Sequence, residues 1–213
     1  MFDYTAMIRQ FIILLLVVAV ATELNAQAIR FKNLSRSEKI WVYTHPFIAK
    51  KSFRITIKAM EITNEVAKDK KLDGDINGGQ VDAFRHAYWM ALLSQKINSH
   101  KAYKLGLAHE KGNKRDFYKR KLEEGTLPDS LSSVMDMENN KAGIVLGKTN
   151  KKMNEGELKN LVTNEISAGK MKILMKDKAG NYLLCDGSML ITTQWQGKWN
   201  IPKCLVNSDH KRK

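Results

Sequence analysis

The sequence predicts a mainly α-helical protein, a bundle of about five helices followed by a short β-rich, hairpin-like C-terminal extension. Three observations carry this. Apolar residues recur at three- and four-residue spacing between residues 47 and 169, residues that start and stop helices fall at the ends of those stretches, and from Met171 the pattern changes to alternation broken by Gly-containing turns. The composition agrees: 213 residues, 43% hydrophobic, 27% charged and only 3 Pro describe a chain that buries a core, not a disordered or collagen-like one.

Residues 1–26 read as an export signal. Arg9 precedes the apolar run Phe11 to Ala21, which is shorter than the roughly 20 residues of a spanning helix, and Ala26 and Ala28 offer a small-residue cleavage site. Retention of the same segment as an N-terminal anchor is the rival reading, and the lack of a Cys after the run argues against a lipoprotein. The expected organisation is a signal peptide over 1–26, an α-helical domain carrying a polar site over 27–170, and a β-rich extension with a frayed tail over 171–213. The protein is then exported, periplasmic or secreted, with no transmembrane span after signal removal.

The formal charge is +14, and loss of residues 1–26 makes it one unit more positive. Such a surface favours an anionic envelope component or a phosphate-containing substrate, with nucleic acid kept open; a solvated lysine-rich face explains the same excess. Cys185 and Cys204 both fall in the extension, where an oxidising compartment would let them form a disulfide and a reducing one would leave two thiols.

Taken in order, residues around Trp41 and Tyr43 read as a connection leading to Pro46, which is placed to open a helix. Ile55, Ala59, Ile62 and Val66 then mark an amphipathic helix from Phe47 to about Lys70. A second helix is expected from Gly79 to about Lys96, and a third from Ser99 to about Glu110, with the basic stretch Lys111 to Leu127 as a loop. Asp129 and Ser130 open a fourth helix running through Gly147, and the capping-box pair Asn154 and Glu157 opens a fifth that ends at Gly169. In the extension, Gly180, Gly187 and Gly197 punctuate two or three short strands.

The stretch LDGDINGGQVDAFRHAYWMALL, Leu72 to Leu93, concentrates the chemistry. Asp73, Asp75 and Asn77 occupy the first three ligand positions of a calcium loop and Gly78 its sharp turn, but Phe84 stands where the bidentate Glu belongs. The alternative is a turn that caps the next helix. There Asp82 and His86 are four apart on one face, with Arg85 and Trp89 close to it. A carboxylate beside an imidazole fixes which ring nitrogen is free, as a metal ligand or general base requires. A satisfied core histidine gives the same spacing, and Tyr88 and Trp89 suit either a pocket wall or plain packing. His109 lies on the apolar face of the third helix and is followed by Glu110. In the fourth helix Asp136, Asn139, Asn140 and Gly143 form a stripe; paired asparagines are poor helix formers, so the stripe faces either solvent or the two histidines.

Together these groups resemble the signature of a bacterial family of exported proteins containing a domain of unknown function: D-A-x-R-H-A-x-W, A-H-E and M-D-x-x-N-N-x-x-G. They stand here as Asp82 to Trp89, Ala108-His109-Glu110, and Met135 to Gly143. The resemblance covers about a third of the chain. It implies a helical domain with a shared polar site, found in stand-alone secreted proteins and in modules of larger exported ones, some toxin-like, and it supplies no reaction.

The order His86, His109-Glu110, Asp136 is similar to the H…HD…D layout of metal-dependent phosphohydrolases, with Glu110 in place of Asp. Two His with Asp136 and Asp82 would suit zinc, manganese or iron better than calcium, leaving positions open for water. Arg85 would then neutralise phosphate charge, Asn140 would orient the attacked group and Asn139 and Trp89 would support the site. Without a metal, His109 would act as general base oriented by Glu110 or Asp136. A non-catalytic binding or structural module uses the same residues as a buried packing network, and a toxin-like effector on nucleic acid or lipid is a third reading.

Overall fold

The computed structural model describes residues 31–122 and 125–212. The expected signal segment lies outside the described residues. Among them the chain forms helices α1 (Arg36–Thr44), α2 (Pro46–Lys68), α3 (Gln80–Lys96), α4 (Ser99–Tyr118), α5 (Ser130–Thr149) and α6 (Glu155–Ser167), then strands β1 (Lys172–Leu174) and β2 (Leu205–Asn207). The architecture is mainly helical with a small antiparallel two-stranded sheet at the C-terminal end. No helix of the described residues is long and apolar enough to cross a membrane.

Local chemistry explains most boundaries. Pro46 opens α2, Asp129 accepts from the amides of Leu131 and Ser132 at the start of α5, and Asn154 and Glu157 form the reciprocal capping box of α6. The cap of α4 is Asn98, one residue before the expected Ser99. α3 is the hub. Val81, Ala83, Phe84, Ala87, Tyr88, Met90, Ala91, Leu92 and Leu93 are all buried, because α2, α4, α5 and α6 pack around it.

The α3–α5 contact is unusually close. A Cβ at Gly143 or Gly147 would collide with the backbone carbonyls of Ala87 and Ala91, so two glycines one turn apart on α5 lie directly on two alanines one turn apart on α3. That approach turns the polar stripe of α5 inward. Asp136, Asn139 and Asn140 are all buried.

Three expectations require correction. The stretch around Trp41 is not a connection but helix α1, nucleated by the capping box of Ser35 and Glu38 and held by packing against α4. The expected loop after Glu110 begins only at Lys119: α4 continues because Gly112 sits so close to Ser35 that a Cβ there would clash, and tertiary contact outweighs its weak helix propensity. The tail from Asn207 is not frayed. Ser208 is completely buried, its hydroxyl donating to the Ile166 carbonyl and accepting from the Met171 amide.

The extension follows the expected texture. β1 pairs with β2 in the register Lys172 to Asn207, Ile173 to Val206 and Leu174 to Leu205, and isolated bridges join Lys176 to Tyr182 and Leu183 to Met189. Gly180, Gly187 and Gly197 take positive φ at the three anticipated turns. Cys185 and Cys204 form a disulfide that closes this segment.

Gly143→Ala tests the helix contact. Although Ala is the better helix former, the variant should lose about 3 kcal/mol, the upper end of overpacking effects, as a lower denaturant midpoint; unchanged stability would contradict the close approach.

Candidate metal centre

Asp82 and His86 on α3 and Asp136 on α5 converge in the interior. Their ligand atoms all lie within 4.8 Å of one another, and all three residues are buried. His86 Nε2 is 3.3 Å from Asp136 Oδ1 and 3.6 Å from Asp82 Oδ1. One nitrogen therefore faces both carboxylates. Two carboxylates and an imidazole at this separation match the donor preferences of zinc, manganese or iron(II).

The loop before α3 aims Asp82. Its Oδ2 accepts from the Gly78 amide at 2.6 Å, and its Oδ1 accepts from Arg85 Nη2 at 2.6 Å and Nε at 3.2 Å. Arg85 thus shares with His86 the oxygen that a cation would use. In the calcium-like loop, Asp73 accepts from the Gln80 amide, and Asp75 accepts from the Asn77 amide and pairs with Lys176 and Arg212. Asp75 already serves two protein cations, and Asp73 pairs with Arg212 as well. The loop works as a docking turn for the extension.

His109 takes a different place from the one expected of a ligand. Its Nδ1 lies 3.1 Å from Glu38 Oε1 on α1, and its ring centroid is 6.3 Å from that of His86. The same Glu38 carboxylate caps α1, accepting from the Ser35 amide at 2.8 Å. Glu38, which was not anticipated, is therefore a carboxylate that orients the His109 ring. Glu110 is buried one position further round α4, with Asn113 donating to it at 3.4 Å. Trp89 packs edge-on against His109 and donates its indole N–H to Thr56, so both rings are held in place.

The paired asparagines divide. Asn139 is structural: its amide donates to the Lys172 carbonyl and accepts from the Lys172 amide, tying α5 to β1. Asn140 lies against Gly106 and Met90, and among the described residues neither of its amide atoms has a hydrogen-bond partner. Buried amides rarely stay unmatched, which sets Asn140 apart as a polar group not used in packing.

Arg85, His86, Trp89, Leu105 and His109 line a pocket of about 690 Å³ together with residues of α1 and α2, including Trp41, Val42, Phe53, Thr56 and Met60. Its size lies within the usual ligand range and its walls are largely apolar. The buried indole N–H of Trp41 has no partner among the described residues. Sequence reasoning missed Glu38 and Trp41; the Ser35-x-x-Glu38 capping box was the available signal for α1, but nothing local pointed to His109.

Burial alone would raise the Glu38 pKa, yet the hydrogen bond and charge of His109, with the Ser35 hydroxyl and amide, hold it below its ordinary 4.5. A lowered carboxylate stabilises the fold above its unfolded pKa, and that contribution disappears as pH falls through the lower folded value. Glu38→Gln should therefore flatten the loss of stability between about pH 5 and pH 3, read from urea midpoints; an unchanged slope would show that the pair contributes nothing.

No curated protein and no solved structure matches the chain. A family model for a domain of unknown function, DUF6973, matches residues 39–170, a span that contains Asp82, His86 and Asp136 of the buried cluster and Arg85, Trp89 and His109 of the pocket. Over most of its helical part, and by the larger share of its length, the chain belongs to that DUF6973 family.

Proposed function

We propose that this is an exported metal-dependent hydrolase acting on a phosphoester or phospholipid-type substrate. The observation that carries the reading is the buried Asp82–His86–Asp136 cluster, which shares His86 with a largely apolar pocket that Arg85 also lines. A divalent ion held there would supply Lewis acidity to a water or phosphoryl oxygen. His109 acts as general base, its ring held by the Nδ1 contact with Glu38. Arg85 offsets charge on the attacked group, and the unmatched Trp41 N–H in the pocket wall suits a polar atom of a bound molecule.

Export rests on the apolar run Phe11 to Ala21, and the Cys185–Cys204 bridge accords with an oxidising compartment. The bacterial origin implied by the three motifs fits the same picture. A second reading, a non-catalytic helical module, is favoured by one feature: Asp82 already accepts from Gly78 and Arg85, as a packing network requires.

Elemental analysis after exchange into chelator-free buffer separates the two. The hydrolase reading expects near-stoichiometric zinc, manganese or iron, lost in His86→Ala and Asp136→Ala, whereas His109→Ala keeps the metal and loses turnover by about 10²–10⁴-fold. Absence of metal from the native protein, with unfolding of the His86 and Asp136 variants, would establish the packing network instead.

A further inference from the structure

The two helices that wall the pocket carry a second feature on their outer faces. Ile40 and Tyr43 of α1 are 53% and 70% exposed, and Phe47, at the start of α2, is 99% exposed. Phe47, Lys50, Lys51 and Arg54 then follow at i, i+3, i+4 and i+7, so one face of α2 presents an aromatic tip backed by three exposed cations. From Lys39 to Met60 the chain contains five Lys or Arg and no Asp or Glu.

Single exposed apolar side chains are ordinary on protein surfaces. Three large ones within eight residues, at a corner free of acids and rich in cations, have the composition of an interfacial helix. We propose that the α1–α2 corner docks on an anionic phospholipid bilayer, with Ile40, Tyr43 and Phe47 entering the head-group layer and Lys50, Lys51 and Arg54 meeting lipid phosphates. Charge complementarity identifies the partner: a juxtaposed cation contributes about 1 kcal/mol toward an anionic leaflet, close to fivefold in partition for each side chain. Nucleic acid would use the cations but gain nothing from aliphatic Ile40, and the inner faces of the same helices form an apolar pocket suited to a lipid chain. The inference deepens the phospholipid reading above, but docking itself requires no turnover.

The test is co-sedimentation of the exported, purified protein with vesicles of phosphatidylglycerol and phosphatidylethanolamine, beside vesicles of phosphatidylcholine. Wild type should favour the anionic vesicles by about 25-fold or more, weakening with salt, and K50E/K51E should remove at least about 25-fold of that binding. Phe47→Ser should weaken binding several-fold on both vesicle types. His86→Ala should bind vesicles like wild type, so that failure of the hydrolase reading leaves docking intact and failure of docking leaves the metal analysis intact. Equal binding to both vesicle types, or variants that bind like wild type with unchanged circular dichroism, would overturn the proposal. So would tight binding of a duplex oligonucleotide, lost in K50E/K51E, by a protein that ignores vesicles.

Discussion

The backbone contact between α3 and α5 is the constraint on which the rest depends. Helices whose contact residues have full side chains pack with axes 8–10 Å apart, whereas Gly143 and Gly147 let α5 lie directly on the Ala87 and Ala91 backbone. Asp136 precedes Gly143 by two turns on the same stripe, and its short side chain comes within 3.3 Å of His86 because the helices are that close. The same approach buries Asn140 between α3, α4 and α5. Glycines that look like weak points in a helix are here what allows a polar cluster to form inside it.

The C-terminal extension, although it lies beyond the family match, holds both ends of this arrangement. Lys172 of β1 clasps Asn139 on α5, and Gln80 at the start of α3 donates to the Ser208 carbonyl. Lys176 pairs with Asp75, and Arg212 with Asp73 and Asp75, in the loop that delivers Asp82. Lys203 pairs with the buried cap Asp129 of α5 and sits over the Tyr182 ring; burial, and then Asp75 and Asp129, push the Tyr182 hydroxyl well above its usual pKa. An apparently peripheral segment therefore fixes the geometry of the interior.

Much of this was legible in the sequence because it was local. Apolar spacing and caps located α2, α3, α5 and α6 within about two residues, and the i, i+4 spacing put Asp82 and His86 on one face, whereas the stripe of α5 could as well have faced solvent. What was not legible depended on partners distant in the chain. α1 is nine residues long and gains its stability from α4, and Glu38 meets His109 across 71 positions. Asn139 and Asn140 are chemically identical neighbours, yet about 100° of helical rotation sends one to a strand and the other between helices. The docked tail escaped for the same reason, since its terminal composition gives no sign of the acidic loop that receives it.

As proposed, Asp82, His86 and Asp136 hold one metal ion and do not only pack α3 against α5. Crystal diffraction at the zinc, manganese and iron absorption edges tests it most directly, because it locates the ion as well as identifying it. A metal held there gives one anomalous peak at about 2.0–2.2 Å from His86 Nε2 and from an oxygen of each carboxylate, with Arg85 sharing or yielding Asp82 Oδ1. A map without a peak there after soaking in each metal, with His86 hydrogen-bonded to the two aspartates, would contradict it.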